Sequence, residues 1–262
     1  MNTPLTIGIL GGMSWESTSL YYSKLNQLFN RKLGGVHSAP VLIDSLEFHT
    51  IRQLQITENW SGAGRLLGEH ARRLQDAGAE MIAMAVNTMH RVADAVEAAV
   101  SVPFVDIRAC AVSALNRQGL KRPLLLGGSV VLQEDGFYVR YLKKHGIEVI
   151  LPTPDERIKL DQIIFEEFPR QIFSDRAREY CYSIINRSVT ARGSDSVILA
   201  CTELPILFSP YIDENNGPRK PSIPIGAIQV PIVDTVLSHV EALASISLGR
   251  ISSVEVATTP RS

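Results

Sequence analysis

Short apolar runs alternate with longer amphipathic stretches along this chain from one end to the other, and no other feature narrows its fold as far. The runs at 5–10, 40–44, 81–85, 103–107, 123–126, 148–151, 196–200 and 223–225 are mostly continuous in apolar residues. Continuous runs belong to strands covered on both faces, as in a parallel sheet beneath helices. Helical stretches at 15–31, 60–77, 88–99, 174–190 and 230–244 lie between them. Two carry clear end signals: Asp76-Ala77-Gly78 places a glycine at the end of one helix, and Ser174 can cap another. The alternation predicts an α/β fold with right-handed crossovers. The polar stretch 213–221 reads as an exposed loop.

Composition excludes several functions. The chain has 262 residues, 45% of them hydrophobic, which is ample for one or two packed domains and argues against disorder. Lys and Arg total 26 against 27 Asp and Glu, a formal charge of −1. A nucleic-acid surface needs clustered positive charge, so none is expected, although a small anionic substrate needs only one or two cations. No apolar run approaches the ~18–20 residues of a spanning helix, so no membrane is expected. Met1-Asn2-Thr3-Pro4 lacks the positive charge of a secretory leader, and the expected compartment is the cytosol.

The three cysteines, Cys110, Cys181 and Cys201, make neither a disulfide framework nor a zinc knuckle, and the six histidines fall in no metal-ligand spacing. Cys110 and Cys181 sit in helical stretches and read as small buried hydrophobes. Cys201 follows a buried strand, and Thr202-Glu203-Leu204 looks like a helix start, where the helix dipole favours a thiolate. A third buried cysteine is the alternative. The two halves of the chain also echo each other. Gly8-Ile9-Leu10-Gly11-Gly12 matches Leu124-Leu125-Leu126-Gly127-Gly128, and Gly11 lies 75 residues before Val86 as Gly127 lies 74 before Cys201. Such a match can arise by chance. If it is real, two similar lobes face each other across a cleft, with Val86 and Cys201 as mates at strand carboxyl ends, where ligands of open α/β sheets bind. Asn87, Thr88 and Thr202 then supply amide and hydroxyl groups that can hold a carboxylate. The first glycine turn has neither a P-loop nor a dinucleotide-binding spacing, and no nucleophile elbow is present.

The sequence resembles the aspartate/glutamate racemase family. The residues that carry the resemblance are 11–18 (Gly-Gly-Met-Ser-Trp-Glu-Ser-Thr), Asn87-Thr88-Met89-His90, Ala200-Cys201-Thr202-Glu203, and Val233-Asp234-Thr235 with His239. The resemblance implies two pseudo-symmetric α/β lobes, residues 1–107 with 222–262 and residues 108–221, with the site in the cleft between them. It also implies no cofactor, no metal, a homodimer, and a small-molecule amino acid or dicarboxylate as the partner. Family members flank the substrate α-carbon with two residues, usually both cysteines; here the matching positions are Cys201 and Val86. Asn87, Thr88 and Thr202 are implied at the α-carboxylate, Gly12 and Met13 at the substrate, and Lys159 and Arg52 as cations for a side-chain carboxylate. Each of the two cations could instead be a solvated surface charge.

Two departures from the family bear on activity. Valine cannot transfer a proton, so Val86 leaves Cys201 as the single thiol. Gly128 and Val131 stand where racemases generally show threonines. The sequence therefore predicts a cofactor-independent racemase of an acidic amino acid, an isomerase with one thiol. Its alternatives are a malonate-type decarboxylase that uses the thiol as proton donor, and a catalytically impaired dicarboxylate-binding paralogue.

Overall fold

A computed structural model describes residues 3–209 and 221–249, with the side chain of residue 169 excepted. The chain divides into two compact units. One comprises the described residues up to Cys110 together with those from Val236; the other runs from Ala111 to Thr235. No helix among the described residues is long and apolar enough to cross a membrane.

The first unit contains β1 (Ile7–Gly11), α1 (Trp15–Leu33), β2 (Val41–Ser45), α2 (Phe48–Ile56), α3 (Trp60–Asp76) and β3 (Met81–Met84). A 3₁₀ turn (Thr88–Val92), α4 (Ala93–Glu97), β4 (Phe104–Val105) and the start of α5 (Ile107–Asn116) follow. Its sheet has the order β2-β1-β3-β4, all parallel. The continuous apolar strands are explained by packing on both faces. Ile7 and Ile9 of β1 and Met81 and Ala83 of β3 join one cluster with Tyr21, Leu25 and Phe29 of α1. Their neighbours Leu10, Ile82 and Met84 join another with Leu67, Ala71 and Leu74 of α3. Successive strand residues point to opposite faces, and here both faces are dry.

The second unit holds the rest of α5, β5 (Pro123–Leu126), α6 (Phe137–Lys144), α7 (Pro154–Gln162), α8 (Asp175–Arg192) and β6 (Ser196–Leu199). A four-residue turn α9 (Leu204–Leu207), β7 (Ser222–Ile225), β8 (Ile228–Asp234) and the first residue of α10 (Thr235–Ser247) complete it. Its sheet runs β5-β6-β8-β7, parallel except for the antiparallel β7–β8 pair. Ser174 caps α8 by accepting from the Ala177 amide at 3.1 Å, and Gly78 adopts φ 100° just past the Ala77 cap of α3.

The structure corrects several expected boundaries. The return to the first unit comes at Val236 rather than near 222, because β7 and β8 pair within the second sheet. Residues 230–234, expected as the start of a helix, belong instead to strand β8: Ile228, Val230, Ile232 and Val233 are β-branched, and the Gly226 turn folds them back on β7. The run 148–151 contributes one parallel bridge, Leu124 to Ile150. The helix expected over 88–99 splits into the 3₁₀ turn and α4, and the strand expected over 103–107 shortens to Phe104–Val105. The Asp106 carboxylate accepts from the Arg108 amide at 2.7 Å and opens α5 in place of further strand. The loop expected over 213–221 lies, except for Pro221, outside the described residues.

Two buried histidines tie the first unit together, His90 at 1% exposure and His239 at 0%. His90 Nδ1 lies 2.8 Å from the Val86 carbonyl, and its Nε2 accepts from the Ile107 amide at 3.2 Å. A carbonyl can only accept and an amide can only donate, so His90 is neutral with its proton on Nδ1. His239 Nε2 lies 2.9 Å from the Val105 carbonyl and Nδ1 lies 2.8 Å from the Tyr21 hydroxyl, which fixes the opposite tautomer. Burial pushes His90 down to about 4 and His239 down to about 3. Arg108 forks onto Asp106, its Nη2 at 2.6 Å. Burial raises the Asp106 carboxyl, but Arg108 and His90 more than offset this and leave it below the usual carboxylate value.

The turn after β1 is equally constrained. Gly12 has φ +79°, and a Cβ there would lie 2.0 Å from the Leu46 carbonyl oxygen. Its amide donates to Thr18 Oγ1 at 2.8 Å, which itself donates to the Ser14 carbonyl at 2.9 Å. Gly12→Ala therefore costs at least about 2 kcal/mol, read from urea unfolding, because neither the backbone angle nor Leu46 can yield cheaply. The histidines generate a pH prediction. Both are depressed when folded, so their contribution is complete above about pH 6.5 and is lost as pH falls toward 4 and 3. Each ring then removes about 2 kcal/mol of stability between pH 7 and pH 5. Urea unfolding at the two pH values measures this, and His90→Gln should flatten the dependence; an unchanged dependence contradicts the account.

Candidate active site

The carboxyl end of the first sheet collects most of the residues singled out in this unit. Strands β1 and β3 are neighbours, so the turn bearing Gly12 and Met13 lies beside the segment Ala85–Thr88. The ladder continues one residue past β3, the Ala85 amide donating to the Leu10 carbonyl at 3.0 Å. Val86 comes next and is half-buried. Its carbonyl is held by His90, and Asn87 behind it is buried. Arg52 on α2 belongs to the same end: its Nη1 donates to Gln55 Oε1 at 3.2 Å, and Gln55 Nε2 donates to Met89 Sδ at 3.1 Å. Arg91 lies over the Trp60 ring, 4.4 Å from its centre.

The second unit repeats this construction. The ladder again runs one residue beyond the central strand, the Ala200 amide donating to the Leu126 carbonyl at 2.7 Å, and Cys201 comes next. Val86 and Cys201 thus hold the same place in their own sheets, each two residues past the last strand residue. Gly127 fits against Ala200, where a Cβ would lie 3.0 Å from the carbonyl oxygen. The loop after β5 is covered by the segment from α7 onward: the Ser129 amide donates to Asp161 Oδ1 at 2.8 Å, and a Cβ on Gly128 would lie 3.3 Å from the Phe165 ring. Lys159 is on this same helix, donating to Gln162 Oε1 at 3.0 Å. Asp234 pairs in register with Leu199, which brings a buried carboxylate to the strand end, and Thr235 Oγ1 donates to the Leu199 carbonyl at 2.8 Å.

The thiol differs from the expectation of a dipole-stabilised thiolate. The helix after it is only a four-residue turn, and Cys201 is 8% exposed. Its Sγ donates to Glu203 Oε2 at 3.2 Å, and Thr202 Oγ1 donates to the same oxygen at 2.7 Å. Burial first, then the Glu203 charge, push the Cys201 thiol well above its usual value. The resting thiol is therefore protonated. Burial pushes Cys181 up to about 12 as well, and Cys110 and Cys181 are both interior. Among the described residues no group of three or more His, Cys, Asp and Glu is arranged to hold a metal ion.

Within the units, then, Gly12, Met13, Val86, Asn87, Thr88 and Arg52 gather at one sheet end, and Cys201, Thr202 and the helix of Lys159 gather at the other. Glu203 and the Asp106/Asp234 pair were not among the predicted site residues. A signal for the pair is present in the sequence: Pro103-Phe104-Val105-Asp106 recurs as Pro231-Ile232-Val233-Asp234, the third piece of the internal echo. In each unit this tetrapeptide supplies the strand beside the central one and ends on a carboxylate.

A family model described as Asp/Glu/Hydantoin racemase matches residues 10–243. Among solved structures, a candidate Asp/Glu racemase from Yersinia pestis is 37% identical, covering 93% of this chain and 99% of its own, with a TM-score of 0.80. An aspartate racemase homologue from Pyrococcus horikoshii is 32% identical over 93% of this chain and 99% of its own, with a TM-score of 0.77. An aspartate racemase from Picrophilus torridus shares the fold at 23% identity, with 94% and 93% coverage and a TM-score of 0.67. With two mostly parallel sheets under helices and a repeated strand-end construction, this chain belongs to the Asp/Glu/hydantoin racemase family.

Proposed function

We propose that this protein is a cofactor-independent racemase of aspartate or glutamate in which Cys201 works one face of the α-carbon and position 86 transfers no proton. The observation that carries this reading is the equivalence of Val86 and Cys201: the same hydrogen bond precedes each, and only one of them titrates. Removing an α-proton leaves a carbanion conjugated to the carboxylate, so donors placed around that carboxylate lower the barrier. Asn87, Thr88 and Thr202 are those donors, with Gly12 and Met13 shaping the wall. Lys159 and Arg52, each steadied by a glutamine, serve a side-chain carboxylate. The enzyme is a homodimer of the cytosol on this reading, and sedimentation of the purified protein checks its oligomeric state.

One thiol returns a proton to the face it came from, so exchange outruns inversion. Proton NMR of L- and D-aspartate and L- and D-glutamate in D2O tests this. One enantiomer should lose its α-proton signal at least about tenfold faster than its mirror image, and Cys201→Ser should abolish the loss. Val86→Cys should raise net inversion at a stability cost of about 1 kcal/mol, since a half-buried branched side chain becomes smaller. No exchange with any of the four amino acids removes acidic substrates, and unchanged inversion in Val86→Cys removes the role given to position 86.

A protonated thiol favours a second reading, in which Cys201 delivers its proton to the enediolate left when a substituted malonate loses CO2. CO2 release from a panel of malonates, lost in Cys201→Ser, supports it; no release from any of them rejects it.

A further inference from the structure

Proton transfer by a buried thiol needs a route to water. Cys201 is 8% exposed, and the one hydrogen bond traced from its Sγ runs to Glu203 Oε2 at 3.2 Å. Glu203 is half-buried, less enclosed than the Cys201 whose sulfur its carboxylate accepts from. The Thr202 hydroxyl donates to that same oxygen at 2.7 Å and holds the carboxylate on the sulfur side. One residue, Thr202, separates the thiol from the carboxylate, and the short α9 turn begins just past Glu203.

We propose that Glu203 is the proton relay between water and the Cys201 thiol, a role that rests on Cys201 being the working thiol. The Cys201 S–H bond breaks, the proton forms an O–H bond on Glu203, and the negative charge passes to sulfur. The glutamic acid loses that proton to water. The thiolate then takes the substrate α-proton, the S–H bond re-forms, and the electron pair of the C–H bond stays on the substrate as the enediolate. That substrate-derived proton leaves by the same route and a solvent proton replaces it before the thiol reprotonates carbon. Glu203 acts through the sulfur and is a positioning and relay residue, not one that touches substrate. With valine at position 86 no second thiol can bring a fresh proton to the carbanion, so isotope exchange at the α-carbon depends on exchange of the Cys201 proton with solvent.

The test uses the full-length protein and its Glu203→Gln, Glu203→Asp and Cys201→Ser variants. Deuterium wash-in to aspartate and glutamate in D2O should fall about tenfold or more in Glu203→Gln, with KM changed by no more than about twofold, and recover in part in Glu203→Asp. Glu203→Gln washing in deuterium at the wild-type rate overturns the relay. A second readout needs no substrate: the infrared S–H stretch of Cys201, assigned by difference against Cys201→Ser, with the buried Cys110 and Cys181 as internal references. Glu203→Gln should shift this band and slow its exchange to S–D. An unmoved band with unchanged exchange overturns the relay. The expected band behaviour, with no wash-in to any amino acid in the wild type, supports the relay and rejects the racemase reading alone.

Discussion

The hydrogen bond that carries each parallel ladder one residue beyond its central strand decides where chemistry can sit in this protein. Ala85 reaches Leu10 in one sheet and Ala200 reaches Leu126 in the other. An alanine in this bond keeps the strand end narrow, and the residue after it leaves the sheet in a fixed direction. The glycine turns of the neighbouring strands make that exit possible: Gly12 leaves no room for a side chain against Leu46, and Gly127 packs on the Ala200 carbonyl. Both units build the same socket; they differ in what fills it.

What fills it is unequal in polarity. Val86 is backed by a network of neutral histidines and a forked Arg108–Asp106 pair, all positioned by backbone groups of the first unit. These side chains are spent on holding the loop, and their protonation states follow from donors and acceptors that cannot change role. Cys201 is backed by Glu203 and Thr202 with Asp234 at the adjacent strand end, a cluster rich in oxygen acceptors. A carboxylate beside a buried sulfur opposes thiolate formation, so reactivity here rests on moving the proton, and not on a resting charge.

Much of the fold was legible because parallel strands advertise themselves: Ile7 to Leu10 and Met81 to Met84 are apolar on both faces, and both faces are covered. Legibility failed where a local choice depended on a partner far along the chain. Residues 228–234 become strand because 222–225 lie along one edge of them and 197–199 along the other, and the C-terminal return shifts with that pairing. The placement of Asn87, Thr88, Cys201 and Thr202 just past strand ends was legible, since each follows a continuous apolar run. Its electrostatics were not. The upward shift of the Cys201 thiol comes from its burial and then from the Glu203 charge, neither of which residue spacing fixes, whereas the repeated Pro-x-Val-Asp tetrapeptide was open to reading.

The most direct measurement of the central claim is a crystal structure with D- or L-aspartate bound. The account places the ligand α-carbon within about 3.5 Å of Cys201 Sγ, in reach of proton transfer. Aspartate seated away from that sulfur, or a Cys201 still enclosed with no ligand atom against it, contradicts the account.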